Sequence, residues 1–383
     1  MRKFLFILTA VATLLSPILV SCDDKESYTP CRIEIVAEGC GRVQFEGFHG
    51  LVQLYNPKNE VVVIAHPDEG YSFKGWYEKE ADKPVCTERR YAFTAEEPLL
   101  LTARFVNKSY TIRISTSSGG SVCFENETET SLTLPYGREV TAVAKADDGY
   151  TFIGWYKKDS TIPVSPQPNY CFKACDDTEL IARFDKKQFA DGYEYIDLEL
   201  PSGTLWATCN VGAMNPEEHG GYYAWGETEE KSEYSWNTYK WCNGSNNTVT
   251  KYCYESIYDT IDNKTVLEAD DDVAHSKWGG NWRMPTANEQ QELFDNCVWN
   301  YGSLNGTDGY WATSKSNGMS IFLPAAGCRE GKETLYCGTF GYYWSGTACN
   351  DNSNADCIRF YSNHTGMEGR GRFIGFTVRP VCH

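Results

Sequence analysis

The sequence predicts a multidomain chain in which two small β modules precede an α+β domain. Three observations predict this. Residues 31–105 and 110–184 align with each other at a constant offset of 79. Within each copy the apolar residues alternate over short runs, the pattern of half-buried strands joined by tight turns. Beyond residue 193 the composition turns to Trp, Tyr, Gly and Asn, and one well-capped helix stands among short apolar runs. With 383 residues, 41% of them hydrophobic, the chain can build several packed cores.

The first segment is an address. Arg2 and Lys3 precede an apolar run from Phe4 to Val20 that contains Pro17, too short and interrupted to span a bilayer well. The run ends in Leu19-Val20-Ser21-Cys22, which resembles the lipobox of bacterial lipoproteins. The resemblance implies a signal peptide over residues 1–21 and acylation of Cys22, which then anchors the chain to a membrane. Each buried acyl methylene adds about 0.8 kcal/mol, so several chains on one residue hold firmly. Residues 22–30 are expected to be a polar tether. Its start, Asp23-Asp24-Lys25-Glu26, resembles the acidic export signal of the Bacteroides group, which implies a lipoprotein exposed on the outer membrane.

Charge and cysteine content narrow the classes further. A net charge of -17 argues against nucleic acid, because phosphate binding depends on clustered Lys and Arg. Sixteen cysteines suit an oxidising compartment. Fifteen remain once Cys22 is set aside, so at least one is free or pairs between chains. No CxxC pair occurs, and nothing with zinc-site spacing follows Cys171 and Cys175.

The two β modules match block by block. Ile33-Glu34-Ile35 aligns with Ile112-Arg113-Ile114, and Gly41 with Gly120. Gly70-Tyr71-Ser72-Phe73-Lys74-Gly75-Trp76-Tyr77 aligns with Gly149-Tyr150-Thr151-Phe152-Ile153-Gly154-Trp155-Tyr156, and each copy closes on Ala-Arg-Phe, at Phe105 and Phe184. A module of about 75 residues needs large aromatics in its core, so Trp76 and Trp155 are expected there. These blocks resemble the divergent B-repeat of internalins. That resemblance implies β-grasp-like modules serving as a spacer or adhesive stalk without catalysis.

Residues 185–192 read as a charged linker, and the last domain runs from 193 to 383. Thr286 is a good N-cap after Pro285, and Glu289 completes a capping box. Ala287, Gln290, Leu293, Phe294 and Cys297 then share a face. Short runs such as Ser320-Ile321-Phe322-Leu323 and Cys357-Ile358-Arg359-Phe360-Tyr361 alternate with Gly-rich loops, which gives an antiparallel sheet. The opening Tyr195-Ile196-Asp197-Leu198, the blocks Trp278-Gly279-Gly280-Asn281-Trp282-Arg283-Met284-Pro285-Thr286 and Tyr223-Ala224-Trp225-Gly226-Glu227-Thr228, and the closing Gly375-Phe376-Thr377-Val378-Arg379-Pro380-Val381 resemble the Fibrobacter succinogenes major paralogous domain. The resemblance implies a C-type-lectin-like fold, which formylglycine-generating enzymes also use.

Catalytic patterns are thin. Those enzymes need a reactive cysteine pair near the carboxyl end, and here Cys349 and Cys357 flank a polar loop that a disulfide between them would close. No HExxH or GxSxG occurs, and the six histidines are scattered. Binding fits better. Asn350, Asn352, Asn354 and Asp356 set oxygen-bearing side chains at every second position, a pattern that can line a calcium site. Tyr336, Phe340 and Tyr342 can stack on sugar faces or anchor a protein partner. The expected function is non-catalytic ligand binding or adhesion, with a glycan or a surface protein as ligand. The alternatives are a hydrolase or formylglycine-generating-like enzyme and a purely structural surface protein.

Overall fold

The structure, a computed structural model, describes residues 29–79, 81–253, 261–362 and 364–383. Cys22 and most of the tether lie outside the described residues. The chain forms two compact units, one ending at Lys108 and the other covering Ser109–His383. Each is mostly β.

The described residues of the first unit form seven strands: β1 Cys31–Glu38, β2 Gly41–Phe45, β3 Val52–Tyr55, β4 Glu60–Pro67, β5 Tyr71–Glu78, β6 Arg90–Thr94 and β7 Leu99–Asn107. They make a four-stranded sheet in the order β3-β1-β7-β5 and a three-stranded sheet in the order β2-β4-β6. β1 and β7 run parallel at the centre of the larger sheet. Ile33, Ile35, Val61, Val63, Leu101 and Ala103 alternate inward around Trp76, all fully buried.

The repeated block has a physical meaning in this fold. Gly75 sits where the β5–β7 register slips, a β-bulge that brings the strand against Pro84 and Cys86. A Cβ at Gly75 would lie 2.5 Å from the Pro84 side chain. After the bulge Trp76 points into the core, and Tyr77 receives the Arg104 guanidinium 4.2 Å above its ring. The closing Phe105 ring fills the space over Gly41, where a Cβ would come within 2.6 Å. Every one of these features recurs in the second copy: the slip at Gly154, Trp155 buried, Arg183 4.0 Å from the Tyr156 ring, and Phe184 against Gly120.

The second unit opens with that copy: β8 Ser109–Thr116, β9 Gly120–Phe124, β10 Ser131–Pro135, β11 Glu139–Ala146, β12 Tyr150–Lys157, β13 Asn169–Lys173 and β14 Thr178–Lys186. The chain then passes directly into β15 Gln188–Ala190, so the stretch read as a linker carries strand structure. β15 edges a sheet completed by β16 Tyr193–Asp197, β17 Leu205–Ala207 and the terminal strand Val381–Cys382. Glu194 fastens this junction, accepting from Thr151 Oγ1 at 2.7 Å and pairing with Lys187 at 3.0 Å.

Among its described residues the rest of the C-terminal region is β-rich with two short α-helices, α1 Val273–Trp278 and α2 Ala287–Asn296. Strands Cys297–Leu304, Thr307–Ser314 and Ser320–Pro324 form one antiparallel sheet, and Phe340–Ala348, Asn354–Tyr361 and His364–Gly371 form another. The predicted capping box is present at Thr286 and Glu289. The predicted apolar face is shorter than expected, because Cys297 is the C-cap and begins the next strand.

Glu289 does more than cap. It is buried, and its carboxylate takes Arg283 Nη2 at 2.6 Å, Arg283 Nη1 at 2.8 Å, Thr286 N at 2.8 Å and Thr204 Oγ1 at 2.9 Å. Burial alone would raise its pKa, but these donors outweigh it and hold the carboxyl at about 2. Since the folded pKa is depressed, the stabilisation is complete above the unfolded value and lost as pH falls from about 4.5 towards 2, about 3 kcal/mol in all. Glu289→Gln is expected to lower the urea midpoint at pH 7 and to flatten the acid limb of stability against pH. An unchanged acid limb would show that the pair with Arg283 contributes nothing to folding.

Candidate functional site

The sheet of Phe340–Ala348, Asn354–Tyr361 and His364–Gly371 presents two unlike faces, because side chains alternate along each strand. One face, with Tyr343, Ile358 and Phe360, packs into the core beside Tyr310 and Leu293. The other carries Phe340 and Tyr342 on the first strand, opposite Tyr361 and Arg359 on the second. Four rings lie near parallel there, Tyr361, Phe340, Tyr342 and Phe376, with successive centroids 4.8, 6.0 and 4.7 Å apart.

Arg359 lies over this stack, its guanidinium carbon 4.7 Å from the Tyr361 centroid and 5.2 Å from that of Phe340. Gly366 is its neighbour on the third strand. Glu368 bridges Arg359 at 3.1 Å and Arg370 at 2.7 Å, fixing both guanidinium groups beside the rings. Tyr336 reaches the same place from the preceding turn, 5.0 Å from Phe340 and 55% exposed. Tyr336, Phe340, Tyr342, Phe376, Arg359 and Arg370 line a cleft of about 220 Å³ together with Glu330. Burial pushes up the Tyr342 phenol and raises the Cys328 thiol at the cleft wall to about 11, so both remain protonated at neutral pH. The cleft offers the exposed Tyr336 ring, the guanidinium groups of Arg359 and Arg370 and the Glu330 carboxylate.

Of the residues expected from the sequence, Tyr336 and Phe340 meet in this cleft. Asn350, Asn352, Asn354 and Asp356 do not join them. The register pairs Phe340 with Tyr361 at one end of the hairpin and Ala348 with Ala355 at the other, roughly 20–25 Å away along the strand. The 350–356 loop is organised by Asp351, an intervening residue that the every-second-position pattern passes over. Its carboxylate accepts from the backbone N–H groups of Ser353 at 2.9 Å and Asn354 at 2.7 Å, and from Asn354 Nδ2 at 3.0 Å. Asp356 accepts from Cys349 Sγ at 3.2 Å. Among the described residues, no group of three or more His, Cys, Asp or Glu side chains is placed to hold a metal ion.

The disulfide expected between Cys349 and Cys357 is not formed, and all fifteen described cysteines are free. The strand pairing explains it. Cys357 lies inside the ladder opposite Trp344, fully buried, with its Sγ directed to the Glu368 carbonyl at 3.4 Å. Cys349 lies beyond the ladder's end and turns to Asp356 instead. Burial and the Asp356 carboxylate push the Cys349 thiol up to about 12.

Sequence reasoning missed Arg359 and Arg370 in the cleft, and Glu368 and Tyr361, which contact these arginines from outside its lining. A signal for two of them was present, since Arg359 and Tyr361 alternate with Ile358 and Phe360 and so share the outward face. Arg370 and Glu368 sit in a Gly-rich segment that gives no pattern.

A family model described as the divergent InlB B-repeat domain matches residues 32–109 and again 110–188. A protein of Evansella cellulosilytica described as "Putative membrane protein" is 36% identical over 95 residues, which cover 24% of this chain and 12% of that protein. The chain thus spans about an eighth of the length of that relative. Among solved structures, the Bacillus anthracis TIE protein aligns over 42% of this chain and 34% of its own at 15% identity, with a TM-score of 0.25. Among the described residues, no helix is long and apolar enough to cross a membrane.

Proposed function

We propose, with two adjacent divergent InlB B-repeats as the premise, that this chain is a lipid-anchored surface protein whose C-terminal, C-type-lectin-like domain binds a glycan without catalysis. Anchoring through Cys22 at the outer membrane, and a stalk role for the repeats, belong to the same reading. The observation that carries it is the cleft, in which the exposed Tyr336 ring stands beside Phe340 and shares the lining with Arg359 and Arg370. A sugar ring lays its C–H face on an aromatic ring, while its hydroxyls take the guanidinium and carboxylate groups around it. A protein ligand is the second reading, favoured by the pairing of Tyr and Arg that dominates binding at many interfaces.

The test is a glycan array and a surface-protein array probed with residues 23–383. Binding to glycans is expected to survive EDTA, because the oxygen-rich 350–356 loop lies at the far end of the sheet. Tyr336→Ala removes a largely exposed ring, so it is expected to weaken binding about tenfold without changing the melting temperature. Glycan binding that Tyr336→Ala leaves intact would sink the cleft assignment. Binding confined to the protein array would select the second reading, and a blank on both would remove binding as the function.

A further inference from the structure

We propose that Cys337 is a nucleophilic thiol that exchanges with a disulfide on a partner molecule, with His219 as its proton acceptor. The fold brings these residues together across 118 positions of sequence, with Cys337 Sγ 3.7 Å from His219 Nδ1. Cys337 is exposed. It sits on a tight turn between Tyr336 and Gly338, whose φ angles are 61° and 79°. The Gly338 N–H donates to the Ala325 carbonyl at 2.7 Å and Thr339 Oγ1 to the Tyr336 carbonyl at 2.9 Å, so the thiol is held outward by a fixed backbone.

His219 is fixed as well. Its carbonyl accepts from Asn210 Nδ2 at 2.9 Å, and Asn210 is itself held by the buried Arg379 at 2.8 Å. Burial lowers the pKa of the imidazole, which favours its neutral form, and the Nε2–H tautomer of that form would present the Nδ1 lone pair to the thiol. The other exposed thiols differ. Cys40, Cys171 and Cys175 have no histidine within hydrogen-bonding range among the described residues. Burial pushes Cys297 and Cys349 up to about 12 and Cys328 up to about 11, so these remain unreactive thiols.

Thiol–disulfide exchange asks only for an accessible sulfur and a proton acceptor, both of which this site holds. Nδ1 takes the proton as Sγ attacks one sulfur of the incoming disulfide. The Sγ–S bond forms, the partner's S–S bond breaks, and the leaving sulfur recovers the proton from His219. The partner disulfide is reduced by one thiol while Cys337 becomes a mixed disulfide, and no outside oxidant is needed. This inference stands apart from the glycan reading, since Cys337 faces His219 and does not line the aromatic cleft.

The test uses the fully reduced chain, incubated with oxidised glutathione and sampled over time by peptide mass mapping. The adduct at Cys337 is expected to form about tenfold faster than at Cys40, Cys171 or Cys175. His219→Gln is expected to bring Cys337 down to the rate of those three and leave them unchanged. Equal rates at all four sites in the unsubstituted chain would overturn the proposal without any variant. A fast Cys337 that stays fast in His219→Gln, and again in His219→Asn, would overturn the role given to the imidazole.

Discussion

Arg379→Ala is expected to destabilise the Ser109–His383 unit by about 3–5 kcal/mol, read as a drop in the urea midpoint followed by tryptophan fluorescence. Arg379 is 1% exposed. Its Nε donates to Asn210 Oδ1 at 2.8 Å, Nη2 to the Phe322 carbonyl at 2.9 Å and Nη1 to the Ala207 carbonyl at 3.3 Å. One side chain therefore ties the terminal segment to the first sheet of the region and to the strand Ser320–Pro324. Truncation leaves three buried acceptors without donors and opens a cavity, and each stranded acceptor costs about 1–3 kcal/mol. Arg379→Met fills most of the volume but keeps the stranded acceptors, so it should fall between Ala and the unsubstituted chain. Midpoints for both variants within error of the parent would mean that water replaces the guanidinium at no cost.

Trp76→Ala is expected to unfold the first unit while the second remains folded. Trp76 is fully buried at the centre of a core built by about seventy-five residues, and large aromatic truncations cost about 3–5 kcal/mol. A domain of this size has roughly 5 kcal/mol of stability in total, so the loss removes most of it. Limited proteolysis should cut within residues 31–107 and leave a resistant fragment beginning near Ser109. Trp155→Ala removes the same ring from the second copy, together with an Nε1 hydrogen bond to the Pro168 carbonyl at 3.2 Å. That copy belongs to a larger compact unit, so its loss should appear as a lowered midpoint of the whole unit. A first unit that resists protease in Trp76→Ala would refute the placing of its core.

The repeat modules were legible because their information is local. The bulge glycine, the tryptophan after it and the Ala-Arg-Phe that packs beneath it recur at one spacing in both copies, and each residue's role follows from its neighbours along two adjacent strands. The helix start was legible for the same reason, since a capping box is a four-residue device. The candidate site was only half legible. The aromatics Tyr336 and Phe340 could be named from the sequence, whereas the alternating oxygens of 350–356 suggested a metal site and the neighbouring cysteines a disulfide. The disulfide reading took closeness in sequence for closeness of side chains. A strand pair places Cys349 and Cys357 on different sides of the ladder's end, and a turn gathers its polar groups onto whichever carboxylate sits at its centre, here Asp351.

By itself the sequence determined the repeats, their β character, the capped helix and the excess of acidic charge, because periodicity and local capping need no knowledge of distant contacts. The tertiary structure alone decided which distant side chains meet. It set Arg359 and Arg370 over the Tyr342 ring, buried Glu289 against Arg283, made a strand of the stretch after Lys186, and brought His219 to Cys337. These pairings come from sheet register and chain reversal, which fix side-chain positions only once every strand has found its partner.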